Sequence, residues 1–217
     1  MAIITPLFAS CGLIEFEIDE SAQQAYDMHI ESDTLHVMKG ESFRLSVSFT
    51  PDSVSNHEVF WQTEHDSIIF IYGNDLMAVG EGDTHISAIS VQDRIADTCF
   101  VRVFSPWEID SHEYPYDMVL YADVKVGGKV PTDSMLVGAF VGSEFRGIGR
   151  WQQVGDVKFM TFRLYSHFEG YNPEAGERFR FVLYDRHRHT LRNFPQRIDF
   201  DGETHGSPGN LFELHLP

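Results

Sequence analysis

The chain has 217 residues, of which 42% are apolar and 23% charged, a globular composition long enough for one large domain or two ordinary ones. Its formal net charge of −17 argues against a phosphate backbone as partner, so nucleic acid is set aside. The excess is uneven: residues 1–105 hold 17 acidic and 4 basic residues, residues 106–217 hold 16 and 12, and no Lys or Arg precedes Lys39.

The chain opens with MAIITPLFASCG, in which ten uncharged residues lead to Cys11. That run is too short to span a bilayer, which needs about 20 residues, but an apolar run followed by small residues is how a secretory signal ends. Ala9, Ser10 and Cys11 resemble a bacterial lipobox, whose cysteine is acylated and becomes the new amino terminus. Phe8 stands where Leu is usual, and the apolar run has no basic residues before it. The resemblance implies that residues 1–11 are the remnant of a lipoprotein signal, with Cys11 as the lipidation site. Residues 12–26, rich in Glu and Asp, then form an acidic spacer behind the anchor, and several acyl chains together hold a protein stably on a membrane. The alternative is that Met1 to Phe8 form a first strand and Cys11 is an ordinary thiol, although Pro6 interrupts such a strand.

From residue 27 onward the apolar period is two. SFRLSVSF, HISAISV, MVLYADVKV, FMTFRLY and RFRFVLYD alternate β-branched or aromatic residues with polar ones, as strands with one buried face do. YGND, EGDT, VGGK and GYNPEAGE supply the turns between them. Only DESAQQAYDM has helical composition. The expected fold class is all-β: two consecutive β-sandwiches, the first Ig-like, at 27–104 and 117–217, joined by a linker at 105–116. In DTCFVRVF, alternation puts Cys99, Val101 and Val103 on one face, so Cys99 reads as a buried thiol acting as a small hydrophobe.

The first sandwich resembles a bacterial Ig-like domain of group 2, on VMKGESFRLSVSFTPDS, VFWQTEHDS with Trp61, LMAVGEGDTHISA with Gly80 and Gly82, and CFVRVF. The resemblance implies that Trp61 packs in the core and that Ile86 and Ala88 face inward. His85 stands where a small residue is usual. The second is similar to a β module at the carboxyl ends of surface proteins of Gram-negative gut bacteria. The similarity rests on GAFVGSEFRGIG (Gly138, Phe140, Gly142, Arg146, Gly147), RFRFVLYD and IDFDGETHGSPGNLFEL. Gly142 and Ser143 suit a two-residue hairpin turn.

Catalytic signatures are absent: the sequence has no G-x-S-x-G, H-E-x-x-H or P-loop, and HGSPG at 205–209 reads as a loop. His187 and His189, at strand spacing two, are candidate zinc ligands, and Asp199 and Asp201, with Glu203, candidate calcium ligands. The plainer alternatives are an exposed hairpin tip and a loop cap, and no cofactor is expected. Trp107, Tyr114 and Tyr116 lie among Glu108, Asp110 and Glu113, a mixture suited to stacking on a sugar ring while carboxylates accept hydroxyl hydrogen bonds; Trp151 extends the set. The same aromatic residues also serve cores.

The sequence therefore predicts a non-enzymatic lipoprotein of the cell envelope, exposed on the outer membrane and held there only by its lipid. The Ig-like domain is its spacer, and the carboxyl-terminal module binds a glycan or a host or cell-surface protein. The alternatives are a small glycoside hydrolase working with two carboxylates and an assembly subunit pairing through strand edges. Oligomeric state is not legible.

Overall fold

The computed structural model describes residues 7–8, 13–14, 23–170 and 177–217. Cys11, and residues 12 and 15–22 of the expected spacer, lie outside them. The fold is all-β: among the described residues there is no α-helix, only a 3-10 turn at Ser111–Glu113. The chain forms two compact units, Met1–Ser105 and Pro106–Pro217.

In the first unit a short antiparallel pair, β1 (Leu7–Phe8) with β2 (Leu13–Ile14), precedes the sandwich. Its strands are β3 (Asp27–Ile30), β4 (Thr34–Met38), β5 (Ser42–Phe43), β6 (Val47–Thr50), β7 (Val59–Thr63), β8 (Ile69–Tyr72), β9 (Asp75–Ala78), β10 (Gly82–Ser90) and β11 (Ala96–Phe104). SFRLSVSF, expected as one strand, is two. Ser42 and Phe43 pair with β9, whereas Val47 to Thr50 pair with β3, and the ladder breaks where the partner changes. Taken as one bent strand, β5/β6 gives the layer β3–β5/β6–β9–β8. The facing sheet is β4–β11–β10–β7. That is the arrangement of an immunoglobulin-type sandwich, with β4 added in parallel on β11.

Alternation supplies the core between those layers. Cys99, Val101 and Val103 are buried while Arg102 is exposed, and Ile86 and Ala88 face inward beside Trp61. Burial, with Asp33 and Asp97 nearby, pushes the Cys99 thiol up to about 12, so at neutral pH it is an unreactive filler.

The second unit consists of β12 (Tyr116–Val126), β13 (Met135–Val141), β14 (Glu144–Val154), β15 (Val157–Ser166), β16 (Arg178–Asp185), β17 (Thr190–Asp199) and β18 (Phe212–Leu216). Their order is β17–β16–β13–β14–β15–β12–β18, with β18 parallel to β12. β14 belongs to two ladders: Glu144 to Ile148 pair with β13, Gly149 to Val154 with β15. Leu120, Phe162, Leu164, Phe179, Phe181 and Phe194 fill the interior. Gly142 and Ser143 make the expected two-residue turn, with Val141 opposite Glu144 and Phe140 opposite Phe145. Gly142 adopts φ 58°, the left-handed conformation such a turn requires.

From Pro106 on, the stretch expected as a linker packs with this second unit. Trp107 is buried on the outer face of β13, β14 and β16, its ring 5.5 Å from Phe140, 6.0 Å from Phe145 and 6.1 Å from Tyr184. Beneath it lies Gly138, where an added Cβ would come within 2.9 Å of the indole and 3.0 Å of the Phe140 ring. This is a small second apolar layer outside the main core. Gly138→Ala is expected to lower the stability of the unit by about 1–3 kcal/mol, the usual cost of overpacking, in urea denaturation. Adding Trp107→Phe should recover part of that loss, because the two positions share one contact.

Candidate functional site

On the outer face of the second unit, β12, β15 and the second half of β14 lie side by side. Their inward residues, such as Leu120, Met160 and Phe162, are consumed by the core. The pleat therefore turns Val119 and Tyr121, Phe159 to Tyr165 at alternate positions, and Ile148, Arg150 and Gln152 the other way. Together they line a groove of about 720 Å³. Cross-strand register sets who meets whom: Arg150 stands opposite Thr161 and Gln152 opposite Phe159.

The groove joins aromatic surface to donors. The rings of Tyr121 and Phe159 lie 5.8 Å apart with an interplanar angle of 50°. The Arg163 guanidinium sits 5.9 Å from the Tyr165 ring centre and donates to both oxygens of Asp117, at 2.7 and 3.1 Å. That pairing fixes its fork. Among the described residues Arg150, also exposed, has no carboxylate partner.

The segment 201–210 forms one wall. The His205 backbone N–H donates to Val119 O at 2.8 Å and its carbonyl accepts from Tyr121 N–H at 2.9 Å, extending the ladder along the β12 edge. Its ring meets both Asp201 oxygens at 2.9 Å. Burial works to raise the Asp201 carboxyl, but the Glu203 N–H and the His205 ring outweigh it and hold the group below the usual carboxylate range. At Gly206 (φ 80°) a Cβ would lie 2.7 Å from Tyr121 O, so the HGSPG loop reaches β12 through a glycine and brings Pro208 to the groove rim.

Behind the groove a charged network fixes Tyr165. Arg146, 3% exposed, donates to Tyr165 O at 3.3 Å, to Glu177 at 3.2 Å and to Glu144 at 2.8 Å. The Ser166 hydroxyl donates to Glu177. Tyr114 lies against this cluster, with the Arg146 guanidinium 4.7 Å from its ring centre and its hydroxyl donating to Glu144 at 2.6 Å. Arg146 and Tyr114 together hold the Glu144 carboxyl below its ordinary range.

Of the residues expected from the sequence to bind ligand, none lines this groove. Trp107 is in the outer apolar layer. Tyr114 leans on Tyr165, ring centres 5.9 Å apart, from outside the lining. Tyr116 begins β12 and borders a separate depression beside Asp117, Glu169 and Asp201. Trp151 points toward the core edge, with the Lys158 ammonium 4.6 Å from its ring centre. The sequence reading missed Tyr121, Phe159 and Tyr165; their signal was aromatic residues at the solvent-facing positions of alternating strands.

The candidate metal ligands do not sit as the strand spacing suggested. His187 and His189 occupy the turn after β16 and not a strand, because the Asp185 carboxylate accepts from the His187 and Arg188 N–H groups at 3.0 and 3.2 Å and curls the chain. Asp199 ends β17 and is held by Arg178, while Asp201 and Glu203 lie beyond it in the loop, so the three do not share a strand face. Among the described residues no group of three or more His, Cys, Asp or Glu side chains is placed to hold a metal ion.

No protein-family model matches the chain, and no curated protein matches it in sequence. Solved structures similar to it include the surface layer protein SbsC, domains 4–9, at 9% identity and TM-score 0.31, covering 89% of this chain and 33% of that one. Protocadherin Gamma B7 extracellular cadherin domains 1–4 match at 9% identity and TM-score 0.30, covering 88% and 53%. The Bacteroides ovatus mixed-linkage glucan utilization locus protein SGBP-B, in complex with a mixed-linkage heptasaccharide, matches at 12% identity and TM-score 0.25, covering 85% and 49%. The chain thus spans about a third of the first and half of the other two, and at these scores they assign it to no family.

The Tyr114 contact gives a pH signature. Burial and the hydrogen bond to Glu144 push its phenol up to about 12, against about 10 for a free tyrosine. The folded value is the higher, so the contact's contribution to stability is complete below pH 10 and is lost as pH rises through 12. In an alkaline absorbance titration of the folded protein, a tyrosine is expected to ionise late, near pH 12, and Tyr114→Phe should remove that step.

Proposed function

We propose that this chain is a non-enzymatic binding protein of the bacterial cell envelope whose second unit holds a glycan in the β12–β15–β14 groove. The observation that carries the reading is the groove lining. Aromatic rings at Tyr121, Phe159 and Tyr165 offer flat apolar surface, and Arg150, Gln152, Thr161 and Arg163 supply hydrogen bonds around it. Apolar surface with a few convergent polar groups is what a small-ligand site requires, and sugar rings present C–H faces and hydroxyl edges that match it. No carboxylate is among the described lining residues, which supports binding over hydrolysis by a carboxylate pair. In this reading the immunoglobulin-type first unit, with its resemblance to group 2 bacterial domains, is a spacer, and Cys11 of LFASCG carries the lipid that ties the protein to the outer membrane.

Two measurements test the two parts. Affinity electrophoresis and calorimetry against a panel of soluble polysaccharides should find a retarding glycan. Tyr121→Ala and Arg150→Ala should each weaken it by about tenfold, the loss of one buried anchor or charged hydrogen bond, while Tyr26→Ala in the first unit leaves it unchanged. Equal binding by the groove variants would refute the site. For the anchor, expression of the native gene followed by mass spectrometry should find an acylated Cys11 in the membrane fraction, and Cys11→Ser should abolish it; an unmodified chain retaining Met1 would remove the anchor.

A further inference from the structure

We infer that Arg180, Arg197 and Asn193 form an oxyanion site on the outer face of the β16–β17 pair, taking a carboxylate or sulfate group of an acidic ligand. The site is separate from the groove and does not rest on the glycan reading. Arg180 and Arg197 face each other directly across the two strands, an arrangement in which like charges destabilise a sheet. In a chain of net charge −17, acidic neighbours are plentiful, yet among the described residues neither guanidinium has a carboxylate partner. Asp199, the nearest carboxylate in the register, is bound by Arg178 at 2.8 and 3.3 Å. Glu144, close to the Gly142 turn, is bound by Arg146 and Tyr114.

The juxtaposition is built by the backbone. Arg180 pairs with Arg197 and Val182 with Asn193, so three residues, Phe194, Pro195 and Gln196, stand opposite Phe181 alone. A bulge of this kind bends its strand and re-aims side chains, often at functional sites. Phe194 remains fully buried in the core while Arg197 is exposed.

Both guanidiniums are held in place by neutral groups, which orient them without neutralising them. Arg180 lies 4.6 Å from the Phe140 ring centre, donates Nε–H to Gly142 O at 2.8 Å and donates through Nη1 to Asn193 Oδ1 at 3.2 Å. Arg197 donates through Nη1 to the carbonyls of Phe194 and Gln196. Among the described residues, what is left over on these three side chains is donors only: Nη2 of Arg180, Nε and Nη2 of Arg197, and the Asn193 amide nitrogen, whose oxygen is already used. Burial and the neighbouring Arg197 charge both depress the Arg180 guanidinium, a cost that a bound anion relieves. Forked donors of this kind match the oxygens of carboxylates and sulfates.

The test titrates the whole chain with sodium sulfate, sodium glucuronate and neutral glucose, against sodium chloride at matched ionic strength, following the Arg180 Nε–H resonance by NMR. Sulfate or glucuronate should shift that resonance saturably, and Arg197→Gln should weaken the affinity by about tenfold, as the loss of a charge-assisted hydrogen bond implies. Arg192→Gln, on the same strand but outside the cluster, should bind as the parent does. Saturation by sulfate alone identifies a tetrahedral anion, and by glucuronate alone a carboxylate. A shift that chloride reproduces, or an Arg197→Gln affinity equal to that of the parent, overturns the site.

Discussion

The second unit depends on one strand serving two ladders. β14 leaves β13 and joins β15 between Ile148 and Gly149, and it does so beside two tightly packed glycines. A Cβ at Gly147 would lie 2.4 Å from Arg163 O, and one at Gly149 would lie 2.2 Å from the Met160 sulfur. At Gly147 the obstacle is backbone, so glycine is what lets the strand pass close to β15 there, and at Gly149 the space is filled by the Met160 and Phe162 side chains. Two different surfaces are consequently built on the halves of a single strand. Phe145 in the first half supports Trp107, while Arg150 and Gln152 in the second half enter the groove.

Charge is organised against the background of the whole chain. Acidic residues exceed basic ones by 17, a field that repels polyanions at a distance. Within the second unit, guanidinium groups are nonetheless placed by side-chain and carbonyl contacts: Arg146 within carboxylates behind the groove, Arg163 by Asp117 at its edge. Arg146 is nearly excluded from water, and such a pair is costly to break because the remaining charge would stay buried. The network therefore acts as a fixed frame for Tyr165.

How much of this was legible follows from the range of the interactions involved. Alternation within one strand is local, so the inward face at Cys99, Val101 and Val103 could be read directly, as could the Gly142–Ser143 turn, while that of Ile86 and Ala88 came from the resemblance of the first unit. The groove was not legible, because it depends on which strands are neighbours. Tyr121, Phe159 and Arg150 come from three strands, and in sequence each is only an outward-facing residue. Trp107 is a similar case: in SPWEIDSHEYPYDM it resembles an exposed platform, and the reason it is buried is a glycine 31 positions later. The histidines at 187 and 189 sit in a turn for a local reason, since the Asp185 carboxylate ends the strand before either of them, four residues short of His189.

Each unit pairs an early strand with its last one in parallel: β4 with β11 over five residue pairs, and β12 with β18 over five. Parallel pairing sends the incoming and outgoing chain toward opposite ends of the ladder. Tension applied along the polypeptide therefore acts along the strands and strains their cross-links side by side, in shear. A hairpin pulled at its open end gives way one bond after another, but in the β12–β18 pair, which closes the second unit from its first strand to its last, the bonds share the load.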